Sequence, residues 1–182
     1  MAYLANILDL QDYQFSKRWR TVSYVAACSA AFLLPFSLGQ PQLVVGSVVN
    51  AALVFTALNF KKSHVLPVIF LPSLAVLTRG VIFGPLTIYL FYSIPAIWLS
   101  NSLLVVAIKD LYLKRKWNKY FALAIGIAIK VMFLYAATSI LVGSHILPKI
   151  FTSSMGITQF YTAVIGGILA LSLHRAIKNR TK

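Results

Sequence analysis

HVLPVIFLPSLAVLTRGVIFGPLTIYLFYSIPAIWLSNSLLVVAI, residues 64–108, is the stretch that decides the fold. Roughly 45 residues of helix would span ~67 Å, whereas a bilayer core is ~30 Å thick, so the run holds two crossings rather than one. The break belongs at Gly84-Pro85, where Gly frees the backbone and Pro cannot extend the preceding helix. Two helices follow, over about 64–83 and 85–108. Pro67, Pro72 and Pro95 fall inside them and should bend them, which membrane helices tolerate when neighbours take up the freed carbonyls.

Outward from this pair, apolar runs of membrane length recur at about 21–38, 42–60, 118–142 and 155–173. The expected fold is an all-α integral membrane protein, a bundle of six transmembrane helices forming one domain over 1–182. Of the 182 residues, 59% are apolar or aromatic and only 11% charged, against about 45–50% and 25% in soluble domains. Six spans leave no room for a soluble catalytic or nucleotide-binding domain. Cys28, the single cysteine, lies within an apolar run and has no internal disulfide partner. The small residues ahead of it resemble a lipoprotein cleavage site, but four residues between Arg20 and Val25 are too few for a signal peptide.

Lys and Arg number 17 against three acids, Asp9, Asp12 and Asp110. In a soluble chain that balance would point to nucleic acid; in a membrane protein it reports topology and contact with anionic lipid. With the N-terminus inside, the cytoplasmic positions collect Lys17, Arg18 and Arg20, then Lys61 and Lys62, then the run from Lys109 to Lys119, then Arg175 to Lys182. Five or seven spans would put one cluster on the wrong face. Both termini are therefore expected in the cytoplasm, and the protein in the cell membrane.

Three cations escape this pattern: Arg79, Lys130 and Lys149. An ionisable residue within a span normally faces protein, water or a ligand. Arg79 lies ~22 Å along its helix from the cytoplasmic end and Lys130 ~18 Å along its own, both in the outer half. Asn50, Tyr89, Tyr92, Thr158, Gln159 and Thr162 fall at the same level. Cations, amides, hydroxyls and phenols without a carboxylate make up an outward pocket for a small polar molecule, anionic groups included. Two plainer readings stand beside this one. Arg79 can snorkel to phosphate head groups, and Gln159, Thr162 and Gly166 share a helix face that could serve as a hydrogen-bonded helix contact.

No Asp or Glu falls within any expected span, so the carboxylate relay of proton- or sodium-driven carriers is missing. A P-loop, a metal cluster and a hydrolase motif are missing too. His64, His145 and His174 stand at helix edges and read as interfacial. Neither catalysis nor a cofactor or metal is expected, and any transport must draw its energy from other polypeptides. Ala26 and Ala30, and beside them Ala27 and Ala31, form small-xxx-small pairs on the first helix, where another helix could pack closely.

In these features the whole chain resembles the substrate-binding S component of an energy-coupling factor (ECF) vitamin transporter. The resemblance lies in the paired alanines, in Phe83-Gly84-Pro85 followed by Ile94-Pro95-Ala96-Ile97-Trp98-Leu99-Ser100-Asn101, in Lys130, and in Met155-Gly156-Ile157-Thr158-Gln159. It implies capture of a vitamin-like molecule from outside, docking through the alanines on a transmembrane T component, and uptake driven by two ABC ATPase subunits. Lys130, Gln159, Thr158, Thr162, Tyr89 and Tyr92 match the helices that bind ligand in that family. Arg79 departs from its pattern, as does the short Gly39-Gln40-Pro41 connection. A membrane scaffold without a ligand and a lipid-handling enzyme are the rival classes; the second would need acids that the spans lack.

Overall fold

The computed structural model describes residues 2–38, 41–83 and 87–180, and among these every regular element is helical. The elements are α1 (Ala2–Leu8), α2 (Lys17–Ser37), α3 (Gln42–Asn59), α4 (Lys62–Phe83), α5 (Thr87–Ile108), α6 (Lys119–Gly143), α7 (Ile150–Met155) and α8 (Ile157–Arg180). Four helices are long and apolar enough to cross a membrane: Gln42–Asn59, Tyr89–Lys114, Lys119–Gly143 and Ile150–Lys178. Among the described residues the chain is thus all-helical, and these four helices mark it by length and composition as a membrane protein. At 21 and 22 residues, α2 and α4 are also long enough, but each begins on cations, Lys17-Arg18 and Lys62. The connection at Gly39-Gln40 and the break at Gly84-Pro85 lie outside the described residues.

α5 ends at Ile108, where the sequence puts its end, but passes directly into a π-helical turn, Lys109–Lys114, which turns Lys109 inward. Lys116, at φ 60°, then reverses the chain, and Asn118 caps α6 by accepting from the Tyr120 N–H at 2.9 Å. The last helix is longer than expected: α8 runs past residue 173 to Arg180 because its last two turns have partners of their own.

The tightest contact in the bundle joins α3 and α8. Gly46 meets Thr162, Gly166 meets Ser47, Asn50 and Ala51, and Asn59 meets His174, so the two helices run parallel in contact along their length. A Cβ at Gly166 would come within 2.7 Å of the Ala51 nitrogen and closer still to the Ser47 carbonyl. That is backbone on backbone, the approach that drives helix association where there is no water to expel. On the far side of the bundle α5 and α6 are antiparallel: Gly126 abuts Leu104, Ala107 and Ile108, while Leu134, Leu141 and Val142 cluster with Tyr89, Leu90 and Ile97.

All three acids gather at one end, which also holds the Phe60–Lys62 turn and the Lys109–Asn118 segment. The stretch from α1 to Phe15 folds across this basic end, with Ile7 buried and Asp12 N–H donating to the Leu58 carbonyl at 2.8 Å. Asp9 accepts from the Lys62 N–H, and Asp110 pairs with Arg115 at 2.8 Å and accepts from the Tyr3 hydroxyl. His174, expected at an interface, is 5% exposed; its ring joins Asn59 to Asp12, each at 2.8 Å. Lys109, grouped by sequence with the loop cations, is fully buried and donates to the carbonyls of Leu10 and Phe60. These contacts satisfy carbonyls that the ends of a helix and a turn would otherwise leave bare.

Burial by itself would raise the Asp12 pKa, but the hydrogen bonds from Lys178 and His174 and their charges outweigh it and hold the carboxyl below its ordinary 3.8. A lowered carboxylate contributes stability above its unfolded pKa and loses it as pH falls through the folded value. Acidification below about pH 4 should therefore release residues 2–15 before the bundle unfolds, read by faster amide exchange in that segment; Asp12→Asn should show the same exchange at neutral pH. Gly166→Ala should lower stability by about 1–3 kcal/mol, because the intruding methyl meets backbone that cannot swing aside. An unchanged melting temperature would contradict the close approach.

Candidate functional site

The α3–α8 contact creates the chemistry of the site. Lys130 of α6 is 2% exposed and donates to the Asn50 Oδ1. Asn50, 1% exposed, donates through Nδ2 to the Gly46 carbonyl at 2.9 Å and to the Thr162 hydroxyl at 3.2 Å. The Thr162 hydroxyl in turn donates a hydrogen bond to the Gln159 carbonyl at 3.1 Å. A single polar chain thus crosses from α6 through α3 to α8. Gly46 and Gly126 make the room: a Cβ on the first would strike Thr162 at 2.8 Å, and one on the second would lie 3.1 Å from Leu104.

The amine is the unusual member. Three N–H groups are available to an ammonium, yet among the described residues Asn50 is the one acceptor for Lys130, and no carboxylate reaches it. Its counterparts at the basic end fare differently: Lys109 has two carbonyls and Lys178 has Asp12. Lys130 therefore keeps unused donor capacity in a buried setting, the condition in which an acceptor-bearing ligand is favoured.

The structure brings some of the residues singled out by sequence together and leaves others apart. Lys130, Asn50 and Thr162 form the chain, and Gln159 joins it through its backbone. Thr158 and Gln159 are half-buried at the start of α8, and Tyr89 packs beside Phe151 with ring centroids 6.4 Å apart. Tyr92 is 54% exposed and faces away from the bundle. Arg79 is half-buried, with its Nη1 enclosed and unpartnered among the described residues. The stripe of Thr162 and Gly166 is a helix contact with α3, as its plainer reading has it.

On α2 the alanines divide. Ala27 and Ala31 are 7% and 0% exposed, spent on packing within the chain, while Ala26 is exposed and Ala30 half-buried. Only Ala26 and Ala30 are left to face a partner. Two groups escaped sequence reasoning altogether: the ring of Asp12, His174 and Asn59, and the buried hydroxyls of Ser93 and Thr138. Single polar residues within apolar runs carry no periodic signal that could have marked them.

Comparison with known proteins finds no matching family, no matching curated protein and no matching solved structure. Functional inference therefore rests on the chemistry of the cluster.

Exchange of Lys130 for Met, of similar length and without charge, should leave the protein as stable or more so, since a buried ammonium with one acceptor is costly to keep. Asn50→Ala should instead cost about 1–3 kcal/mol by leaving that ammonium with no acceptor. In the double variant the cost of Asn50→Ala should largely vanish. Additive losses across this cycle would contradict the pairing.

Proposed function

We propose that this chain is the substrate-binding subunit of an ATP-driven importer of the energy-coupling factor type. Six helices, α2 to α6 and α8, cross the cell membrane in this reading, with both termini and the basic end in the cytoplasm. The four apolar spans, the length of α2 and α4 and the parallel course of α3 and α8 fit that count. The subunit captures a small polar molecule bearing an acidic group, vitamin-like in size, from outside. It binds and does not catalyse.

One observation carries this reading: Lys130 is buried in a membrane helix and, among the described residues, has Asn50 alone to accept from it and no carboxylate to neutralise it. A purely structural lysine in that position would be a standing cost, whereas an acidic ligand would supply both the charge and the missing acceptors. Energy must come from elsewhere, because the one acid in the apolar spans, Asp110, stands at the basic end in the π-helical turn after α5, paired with Arg115. Ala26 and Ala30 offer a strip for a T component, which would connect the subunit to paired ATPases.

The closure of the Lys130 cluster favours a second reading, a scaffold in which Lys130, Asn50 and Thr162 merely clamp three helices. Uptake separates the two. Cells given a panel of labelled water-soluble vitamins should accumulate one of them only when this chain is expressed with a T component and both ATPases. Liposomes holding the chain alone should show no uptake under a proton or sodium gradient. Gradient-driven uptake would refute the importer reading, and no accumulation of any compound in the full complex would favour the scaffold.

A further inference from the structure

Between the segment that follows α1 and the facing ends of α2 and α3 a cavity of about 100 Å³ is left open, lined by Gln11, Gln14, Phe15, Arg20, Asn59 and Lys61. Clefts for drug-sized ligands run to about 300–1,000 Å³, so this one suits a single head group rather than a whole nucleotide. Bonds made outside the cavity hold its walls. On one side the Leu10 carbonyl accepts from Lys109 and the Asp12 N–H donates to the Leu58 carbonyl, so Gln11 stands on backbone fixed at both neighbours. On the other, the Phe60 carbonyl accepts from the same Lys109 at 2.8 Å, and the Lys61 carbonyl accepts from the N–H groups of His64 and Val65. Lys109 thus ties the two sides together. Phe15 supplies an apolar wall, packed among the rings of Tyr13, Phe55 and Phe60.

The polar groups that face this space are largely unspent. Among the described residues neither Arg20 nor Lys61 has a carboxylate partner, and no hydrogen bond engages the side chain of Gln11 or Gln14. Every acid at this end is taken: Asp9 by the Lys62 N–H, Asp12 by His174 and Lys178, Asp110 by Arg115 and Tyr3. Asn59 is oriented by the His174 ring on its Oδ1 and by the Phe55 carbonyl on its amide, each at 2.8 Å, which leaves it a second N–H. A guanidinium, an ammonium and three amides therefore line one small space that carries two positive charges and no negative one.

We propose that this cavity binds the phosphate of a phosphate ester, with Arg20 and Lys61 on the charged oxygens and the amides of Gln11, Gln14 and Asn59 around the group that bears them. Guanidinium forks match phosphate oxygens, and a tetrahedral phosphate offers oxygens in several directions where a planar carboxylate offers them in one plane. Amides accept as well as donate, so a hydroxyl next to the phosphate is also accommodated. Trp19, exposed and adjacent to Arg20 in α2, is the residue type that marks the head-group level of a bilayer, where basic pockets at helix ends meet lipid phosphates. The site is separate from Lys130 and does not depend on what that residue binds.

Thermal unfolding of the purified protein in a neutral detergent tests this, with dihexanoyl phosphatidylglycerol and glycerol 3-phosphate as probes, and dihexanoylglycerol and succinate as controls at equal ionic strength. At least one probe should raise the melting temperature of the wild type, and neither control should. A rise with phosphatidylglycerol alone assigns the site to lipid; a rise with glycerol 3-phosphate shows that the soluble ester suffices. Arg20→Gln with Lys61→Gln should weaken binding by about tenfold or more, the loss expected for charged hydrogen bonds. Arg18→Gln with Lys62→Gln removes the same charge from the same end, outside the lining, and should bind as the wild type does. Equal loss in the two pairs would reduce the effect to general charge and overturn the proposal. Gln14→Glu supplies a carboxylate to the two cations from within, so it should melt at the wild-type temperature or higher and gain nothing from either probe. A lower melting temperature for that variant, or a full response to the probes, would overturn the proposal. So would a wild type that responds to neither probe, or that responds equally to succinate.

Discussion

Backbone contact between α3 and α8 at Gly166 is the constraint on which the rest of the structure depends. Within a bilayer no water is released when helices meet, so association relies on close packing and on hydrogen bonds that lipid cannot supply. Gly166 lets the two backbones touch, and Gly46 one turn nearer the α3 start gives Thr162 its place. Asn50 is thereby fixed between Thr162 and Lys130. Were the helices held apart by a methyl group, the amide would lose one partner and the lysine its acceptor. Packing geometry and site chemistry have a single origin.

Charge is partitioned along the bundle axis. At the basic end every acid has a partner: Asp9 a backbone N–H, Asp12 a histidine and a lysine, Asp110 an arginine and a phenol. Lys109 is buried there against two carbonyls, and α8 is extended by the turns that reach Asp12. Towards the other end, no anion pairs with Arg79 or Lys130 among the described residues. The apolar core follows the same division, with its main body around α3, α4 and α8 and a smaller cluster of Leu134, Leu147, Phe151 and Met155 beyond Lys130.

The sequence by itself determined that this is a helical membrane protein, because runs such as 64–108 have too few charges and too much length for anything else. It also singled out Lys130 and Asn50, since a cation or an amide within a span is conspicuous against apolar neighbours. Gly166 and Thr162 were legible as one helix face. Only the tertiary structure decided what that face meets, how far α8 extends, which alanines of α2 are buried, and that His174 and Lys109 lie inside rather than at the surface. Ser93 and Thr138 could not be told in sequence from any back-bonded hydroxyl. Hydropathy is a property of successive residues and survives in the linear chain, whereas a polar atom's role depends on whether another helix brings it a partner.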